Sequence, residues 1–281
     1  MAEFLLSGRF CLACNGERTP WFDNLITDAG LDRIGTDEYL TRVSIGTGTT
    51  EPAVSDLGLE ALLASTDNLT TSVTEVGWHQ RTFLFSSGSS EAVTITEVGI
   101  GWDTGLFSRA VLPEPLEVPS GRDLTVVYEL TLVPPEYDDV YEIDIGGVTT
   151  ACTARAALVG DGSEGAWGLA GDPISFDLGP DNAPLIYDGA LGDTTSSPSG
   201  TAVAHSSQTA YSYTPGSLYL ELEGRWNIDI GNLTDGAAST LFRTNGYGAY
   251  QIGFDPPLTK TCYDTLRLTY RVSWGRLASS S

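Results

Sequence analysis

The strongest constraint on this chain is a run of strict alternation inside PLEVPSGRDLTVVYELTL, residues 115–132. Leu124, Val126, Tyr128, Leu130 and Leu132 point one way, and Thr125, Val127, Glu129 and Thr131 point the other. That is the period of a β-strand with one buried face. The pattern returns 142 residues later in PLTKTCYDTLRLTYRVSW, where Pro257 matches Pro115 and Tyr270 matches Tyr128. Its inward positions, Leu266, Leu268, Tyr270, Val272 and Trp274, stay apolar. Its outward set becomes Thr265, Arg267, Thr269, Arg271 and Ser273. Each copy ends one half of the sequence, and 281 residues suffice for two cores of ordinary size.

The expected fold class is therefore mainly β: two β-sandwich-like modules, with two short helices in the first. Short Val/Ile/Leu/Tyr/Thr runs between frequent turn residues, with 32 glycines and 14 prolines, support it. The domains are expected at 1–135, an anchoring module, and 136–281, a loop-rich module. The break falls at Val133-Pro134-Pro135-Glu136, because proline cannot serve in a central ladder.

Along the chain, Phe4–Ala13 reads as the first strand. Thr27 is placed to cap a helix over 28–34, with acidic residues near its positive end and Gly35 as its stop. Tyr39–Gly46 reads as a strand. Ser55 is placed to cap a second helix over 56–64, with Leu57, Ala61 and Ala64 turned inward. From Glu75 to Leu132 the pattern is all strand. In the second half, Gly160 to about Ser207 is loop-rich, and loops of that length usually carry function or form interfaces.

Charge narrows the function classes. The net charge is −23, shared evenly between the halves. Nothing basic is concentrated enough to neutralise phosphates, which argues against nucleic acid as a partner. An acidic membrane surface would also repel the chain, and no apolar run approaches a span, so no membrane insertion is expected. The start, MAEFLLSGRF, has Glu3 where a secretion signal would be positive. Synthesis in a cytoplasm is expected, with the four cysteines as thiols.

Chemistry is sparse. Cys11 and Cys14 form a CxxC inside a strand, and no second pair completes a zinc site. His79 and His205 stand apart from any cluster of ligands, and no GxSxG occurs. Asp161-Gly-Ser-Glu164 and Glu136-Tyr-Asp138-Asp139 are the acidic stretches nearest to a Ca²⁺ loop, without its spacing. The expectation is no enzyme, no cofactor and no resident metal. Exposed aromatics on β loops stack on sugars or form protein contacts. Trp167, Tyr187, Tyr211 and Tyr213 are the candidate binding residues on that ground. Tyr219, Trp226, Tyr270 and Trp274 fit strand alternation and are assigned to the core.

Three stretches carry a resemblance: WFDNLITDAGLDRIG with SIGTGTTEPAVSDLGLEALLAS, then ITEVGIGW…GLFSRAVLPEPLEVPSGRDLTVVYELTL, and finally YGAYQIGFDPPLTKTCYDTLRLTYRVSWGR. They resemble structural proteins of tailed-bacteriophage virions, of the tail-fibre and tail-tip kind. The resemblance implies a non-enzymatic virion component at the tail tip or fibre. It would assemble with other tail proteins and with copies of itself, and contact a host-surface receptor or glycan. The rival classes are a carbohydrate-binding or polysaccharide-degrading module, and a head-decoration or connector protein.

Overall fold

In a computed structural model the protein is mainly β, with 58% of the described residues in strand and 3% in helix, in several sheets. The structure describes residues 3–36, 39–75, 77–86, 91–158, 184–243 and 249–278. These fall into two compact units. One takes residues 6–133 and 275–278; the other takes 3–5, 134–158, 184–243 and 249–274.

The strands of the first unit are β1 (Glu3–Cys14, from Leu6 onward), β2 (Glu17–Arg18), β3 (Phe22–Asp23), β4 (Leu25–Ile26), β5 (Arg42–Gly46) and β6 (Leu62–Thr66). They continue with β7 (Leu69–Glu75), β8 (Trp78–Phe85), β9 (Val93–Trp102), β10 (Gly105–Val118) and β11 (Leu124–Val133). One sheet runs β1-β11-β8-β7, with β2 and β3 on β1; the other runs β4-β10-β9-β5-β6. All five inward residues of β11 are buried, as their alternation demands. Val127 and Glu129 on its other face are buried too, so β11 is covered on both sides. Tyr128 forms the hub between the sheets. Its ring lies 4.8 Å from Phe10 and 6.5 Å from Phe107, and burial pushes its hydroxyl up to about 12.

The single helix of the described residues, α1, spans Asp28–Ile34 where its capping signal put it. Thr27 Oγ1 accepts from the Gly30 N–H at 2.9 Å and donates to the Leu106 carbonyl at 2.6 Å, tying cap and sheet together. Gly30 is required by proximity: a Cβ there would sit 2.4 Å from the Phe107 carbonyl oxygen.

The second helix expected over 56–64 does not form. Residues 54–61 are irregular, and Leu62–Thr66 is strand β6. Leu57, assigned to an inward face, is 75% exposed. The physical reason is competition for backbone donors: the N–H groups of Glu60 and Ala61 bond to the Glu97 carboxylate instead of to a preceding helical turn.

The second unit holds β12 (Asp139–Ile145), β13 (Val148–Ala157), β14 (Leu185–Tyr187), β15 (Ala202–Ala204) and β16 (Ser207–Ala210). It is completed by β17 (Tyr219–Trp226), β18 (Ala237–Arg243), β19 (Ala249–Leu258) and β20 (Leu266–Arg276, to Trp274). A six-stranded sheet runs β12-β13-β19-β18-β14-β15, and β16, β17 and β20 pair in that order. Trp226, Phe254, Cys152 and Ile186 form the main core cluster. Tyr270 stacks on Phe242 at 5.1 Å, and its hydroxyl meets Thr240 Oγ1 at 2.6 Å. Lys260, the chain's single lysine, is 5% exposed. Its Nζ donates to Asn232 Oδ1 at 2.7 Å, and desolvation lowers its pKa.

The two matching sequence stretches occupy equivalent places. PLEVPSGRD leaves β10 of one sheet and enters β11 of another. PLTKTCYDT leaves β19 and enters β20 in the same manner. The repeat thus marks a sheet-to-sheet crossing, with the tyrosine of the arriving strand facing inward each time. Tyr128→Asp and Tyr270→Asp should each abolish soluble expression by placing a carboxylate in a closed core. Thr125→Asp, on a half-buried outward position, should leave a soluble protein. Parallel expression trials of the three variants check this.

Candidate functional site

Two arrangements stand apart from ordinary core. The first is a cavity of about 450 Å³ in the second unit, lined by Asp139, Tyr141, Ala154, Tyr250, Ile252, Thr269, Tyr270 and Arg271. Its origin lies in side-chain size. Register sets Asp139 beside Ala154 and Ala154 beside Ile252 in one row across β12, β13 and β19. Ala156 lies beside Tyr250 two positions along. Alanine at two inward positions of β13 leaves space that larger residues would fill.

The walls divide by chemistry. Tyr250 and Tyr270 are buried; Tyr250 packs at a tilt against Phe4 at 5.1 Å, and Tyr270 stacks on Phe242 at 5.1 Å. Thr240 Oγ1 donates to the Leu185 carbonyl, so the Tyr270 hydroxyl donates to Thr240. The Tyr250 hydroxyl bonds with Ser273. Both tyrosines thus border the cavity as buried residues with their hydroxyls engaged. Tyr141 is 39% exposed at the rim, and burial pushes its hydroxyl up to about 12, so it remains a neutral donor and acceptor. Asp139 supplies a carboxylate, Thr269 a hydroxyl and Arg271 a guanidinium. Arg271 is oriented by Glu221, at 2.9 Å and 2.6 Å, and lies 4.1 Å from the centre of the Tyr219 ring.

The second arrangement is in the first unit. Glu97 on β9 is 0% exposed. Its carboxylate accepts from the N–H groups of Gly48 (3.0 Å), Glu60 (3.0 Å) and Ala61 (2.7 Å), and from Arg109 Nε on β10 at 2.9 Å. Arg109 also donates to Asp56 at 2.9 Å. Glu60 takes the Thr49 and Thr50 N–H groups at 2.8 Å each, and these bonds, Thr50's foremost, hold its carboxyl below the usual range. Gly48 admits the network: a Cβ there would lie 2.6 Å from Glu97 Oε1. The result is a long loop, 47–61, clamped to the sheet. It projects Val54 and Leu57, and β6 follows at the sheet edge with Leu62 and Leu63 exposed.

The residues singled out from sequence are dispersed. Trp167, Asp161 and Glu164 lie outside the described residues. Tyr187 is buried on β14 with Leu241 and Ala157 and belongs to the core. Tyr211 is exposed, but Tyr213 stacks on Trp274 at 5.7 Å, and its hydroxyl accepts from the Leu218 N–H. Trp226, Tyr270 and Trp274 are buried as assigned, and Tyr219 is half-buried under Arg271. Asp138 pairs with Arg155 at 2.6 Å. Cys11 and Cys14 are buried free thiols. His79 is buried in β8 and accepts from Arg81 Nε at 3.1 Å.

Within 160–207, the described part is not a loose loop. Buried Gln251 accepts from the Gly192 N–H at 2.7 Å and donates to the Asp193 carbonyl at 2.9 Å. Arg155 donates to the Gly192 carbonyl at 2.8 Å.

Sequence reasoning passed over both arrangements. The signals were present: Glu97 and Arg109 are opposite charges on neighbouring hairpin strands, one diagonal step apart, and TACTARAA places alanines on an inward face. No protein-family model, curated protein or solved structure matches this chain.

Two outcomes follow. Glu97→Gln should cost about 1–3 kcal/mol, because it removes the charge from the acceptor of three backbone N–H groups and Arg109 Nε, while Arg109 keeps its bond to Asp56. The loop should then become cleavable near Leu57 by thermolysin under conditions where the native chain resists. For His79, desolvation foremost and then Arg81 lower the pKa from 6.5 to about 3. Below 6.5 the unfolded chain takes a proton that the folded chain refuses, so stability falls as pH drops from 6.5 toward 3. His79→Gln should flatten that limb in denaturant titrations run across the interval.

Proposed function

We propose that this protein is a non-enzymatic structural component of a tailed-phage virion, at the tail tip or tail fibre. It is made in the host cytoplasm, joins other tail proteins and copies of itself, and contributes to host attachment. In this reading the two compact units are β-sandwich-like modules, the first anchoring and the second facing outward.

The observation that carries the assembly half is the clamped loop 47–61 with its neighbouring edge strand. Val54, Leu57, Leu62 and Leu63 are apolar and exposed on backbone that a buried ion pair already holds in place. Binding through a preorganised loop avoids the ordering cost that a mobile one would incur. An open edge such as β6 is a ready surface for another chain. The tail assignment is supported by the sequence resemblance.

The test is direct. Leu57→Asp and Leu62→Asp alter exposed positions and should change folding stability by less than about 0.5 kcal/mol. Both should reduce incorporation of the chain into phage particles, measured by quantitative blotting of purified virions. Normal incorporation would remove the loop from the interface. A cryo-electron-microscopy map of the particle that puts the chain on the head would remove the tail assignment.

A further inference from the structure

We infer that the outer edge of β12 is a docking site for an extended, basic segment of a partner protein, which joins the sheet as a further strand. The inference rests on the second unit alone and stands whether or not the chain belongs to a phage tail.

Among the described residues, β12 ends one side of the six-stranded sheet and pairs with β13 alone. Its register is fixed by a two-residue turn, Gly146-Gly147, in which both glycines take positive φ, 61° and 83°. The backbone groups on its other side form a template for one more strand. Two observations suit that edge to a partner rather than to water. First, apolar side chains crowd it: Val140 is 67% exposed and Val148 52%, and Tyr141 and Ile145 are exposed as well. Second, the core beside it is unfilled. The cavity of about 450 Å³ described above is lined by Asp139 and Tyr141 at one end of β12. Another of about 440 Å³ is lined by Ile145 at the other end. Acidic side chains on an edge also guard against pairing. Guarding accounts for neither the exposed apolar residues nor the empty volume.

Charge selects the occupant. The outward row of β12 is Val140, Glu142 and Asp144. Among the described residues neither of these carboxylates has an ion-pair partner; Asp144 accepts the Gly147 N–H at 3.0 Å. Their neighbours across the ladder, Ala151 and Thr149, are uncharged, and the cation further along β13, Arg155, is taken by Asp138. A second copy of this chain fits poorly. Full antiparallel overlap of two β12 strands sets Glu142 against Glu142, and like charges directly opposite are destabilising. The segment that fits alternates. It carries lysine or arginine opposite Glu142 and Asp144, and apolar side chains opposite Tyr141, Ile143 and Ile145.

Fluorescence anisotropy of the full chain with short labelled peptides tests this. The probe alternates lysine and valine. One comparison replaces lysine by glutamate. Another keeps every side chain but is N-methylated throughout, so it cannot donate to a ladder. The expected result is that the lysine probe binds about tenfold or more tighter than either comparison. Glu142→Lys, at an exposed position, should weaken the lysine probe about threefold or more, with far-UV circular dichroism unchanged. No binding of the lysine probe would overturn the inference. Equal binding of the N-methylated peptide would also overturn it, since that is attraction to an acidic surface and not strand addition. So would a lysine-probe affinity that Glu142→Lys leaves unchanged. A dimer of the free chain in sedimentation velocity that Val140→Asp dissociates would assign the edge to a second copy, and would overturn the inference too.

Discussion

The first unit depends on one carboxylate. Glu97 has no solvent to turn to, and a buried charge is tolerated only when it is fully partnered. Its partners are drawn from three places: Arg109 on the next strand, Gly48 at one end of the loop, and Glu60 with Ala61 at the other. Satisfying one residue therefore closes a loop of more than ten residues and fixes the start of β6. The loop in turn supplies the Val54 carbonyl to the Asp28 N–H, at 2.8 Å, at the start of α1. A helix of seven residues is marginal in isolation, and this one is held by Thr27, by Gly30 against Phe107 and by the clamped loop.

In the second unit the governing choice is the opposite one, to leave room. Elsewhere Trp226, Phe242 and Phe254 fill the inter-strand space. Along β13, alanine alternates with outward polar residues, and the tyrosines around that gap are braced from behind by Phe4, Phe242, Ser273 and Thr240. A gap without such bracing tends to collapse, because the lining loses contacts and relaxes inward. Here the two tyrosine hydroxyls are engaged by Ser273 and Thr240.

Legibility from sequence followed the range of the interaction. The closing strands and α1 were readable because alternation and capping are local: the inward residues of 124–132 and the Thr27 cap each involve neighbours within a few positions. The 56–64 segment misled for a related reason. Its local signals favour helix, but its backbone donors are claimed by Glu97, more than thirty residues away. β6 and β7 went unread because their side chains are mostly exposed or half-buried and carry no clear inward face. The cavity requires knowing that Tyr141, Tyr250 and Tyr270 converge, and three residues on separate strands have no spacing that announces it. Of the aromatics chosen by loop position, Tyr187 turned out to sit within a strand and its core.

The burial of Lys260 has a practical corollary for handling the molecule. With the chain's one ε-amine bonded to Asn232 and withdrawn from solvent, the cationic side chains at the surface are guanidiniums. Amine-directed esters and aldehyde fixatives thus find no accessible lysine, whereas carbodiimide chemistry meets exposed carboxylates such as Asp103 and Asp28. Attachment to a surface, a dye or a neighbouring protein is accordingly better directed at acid groups or at the exposed Cys262 thiol than at the lysine side chain.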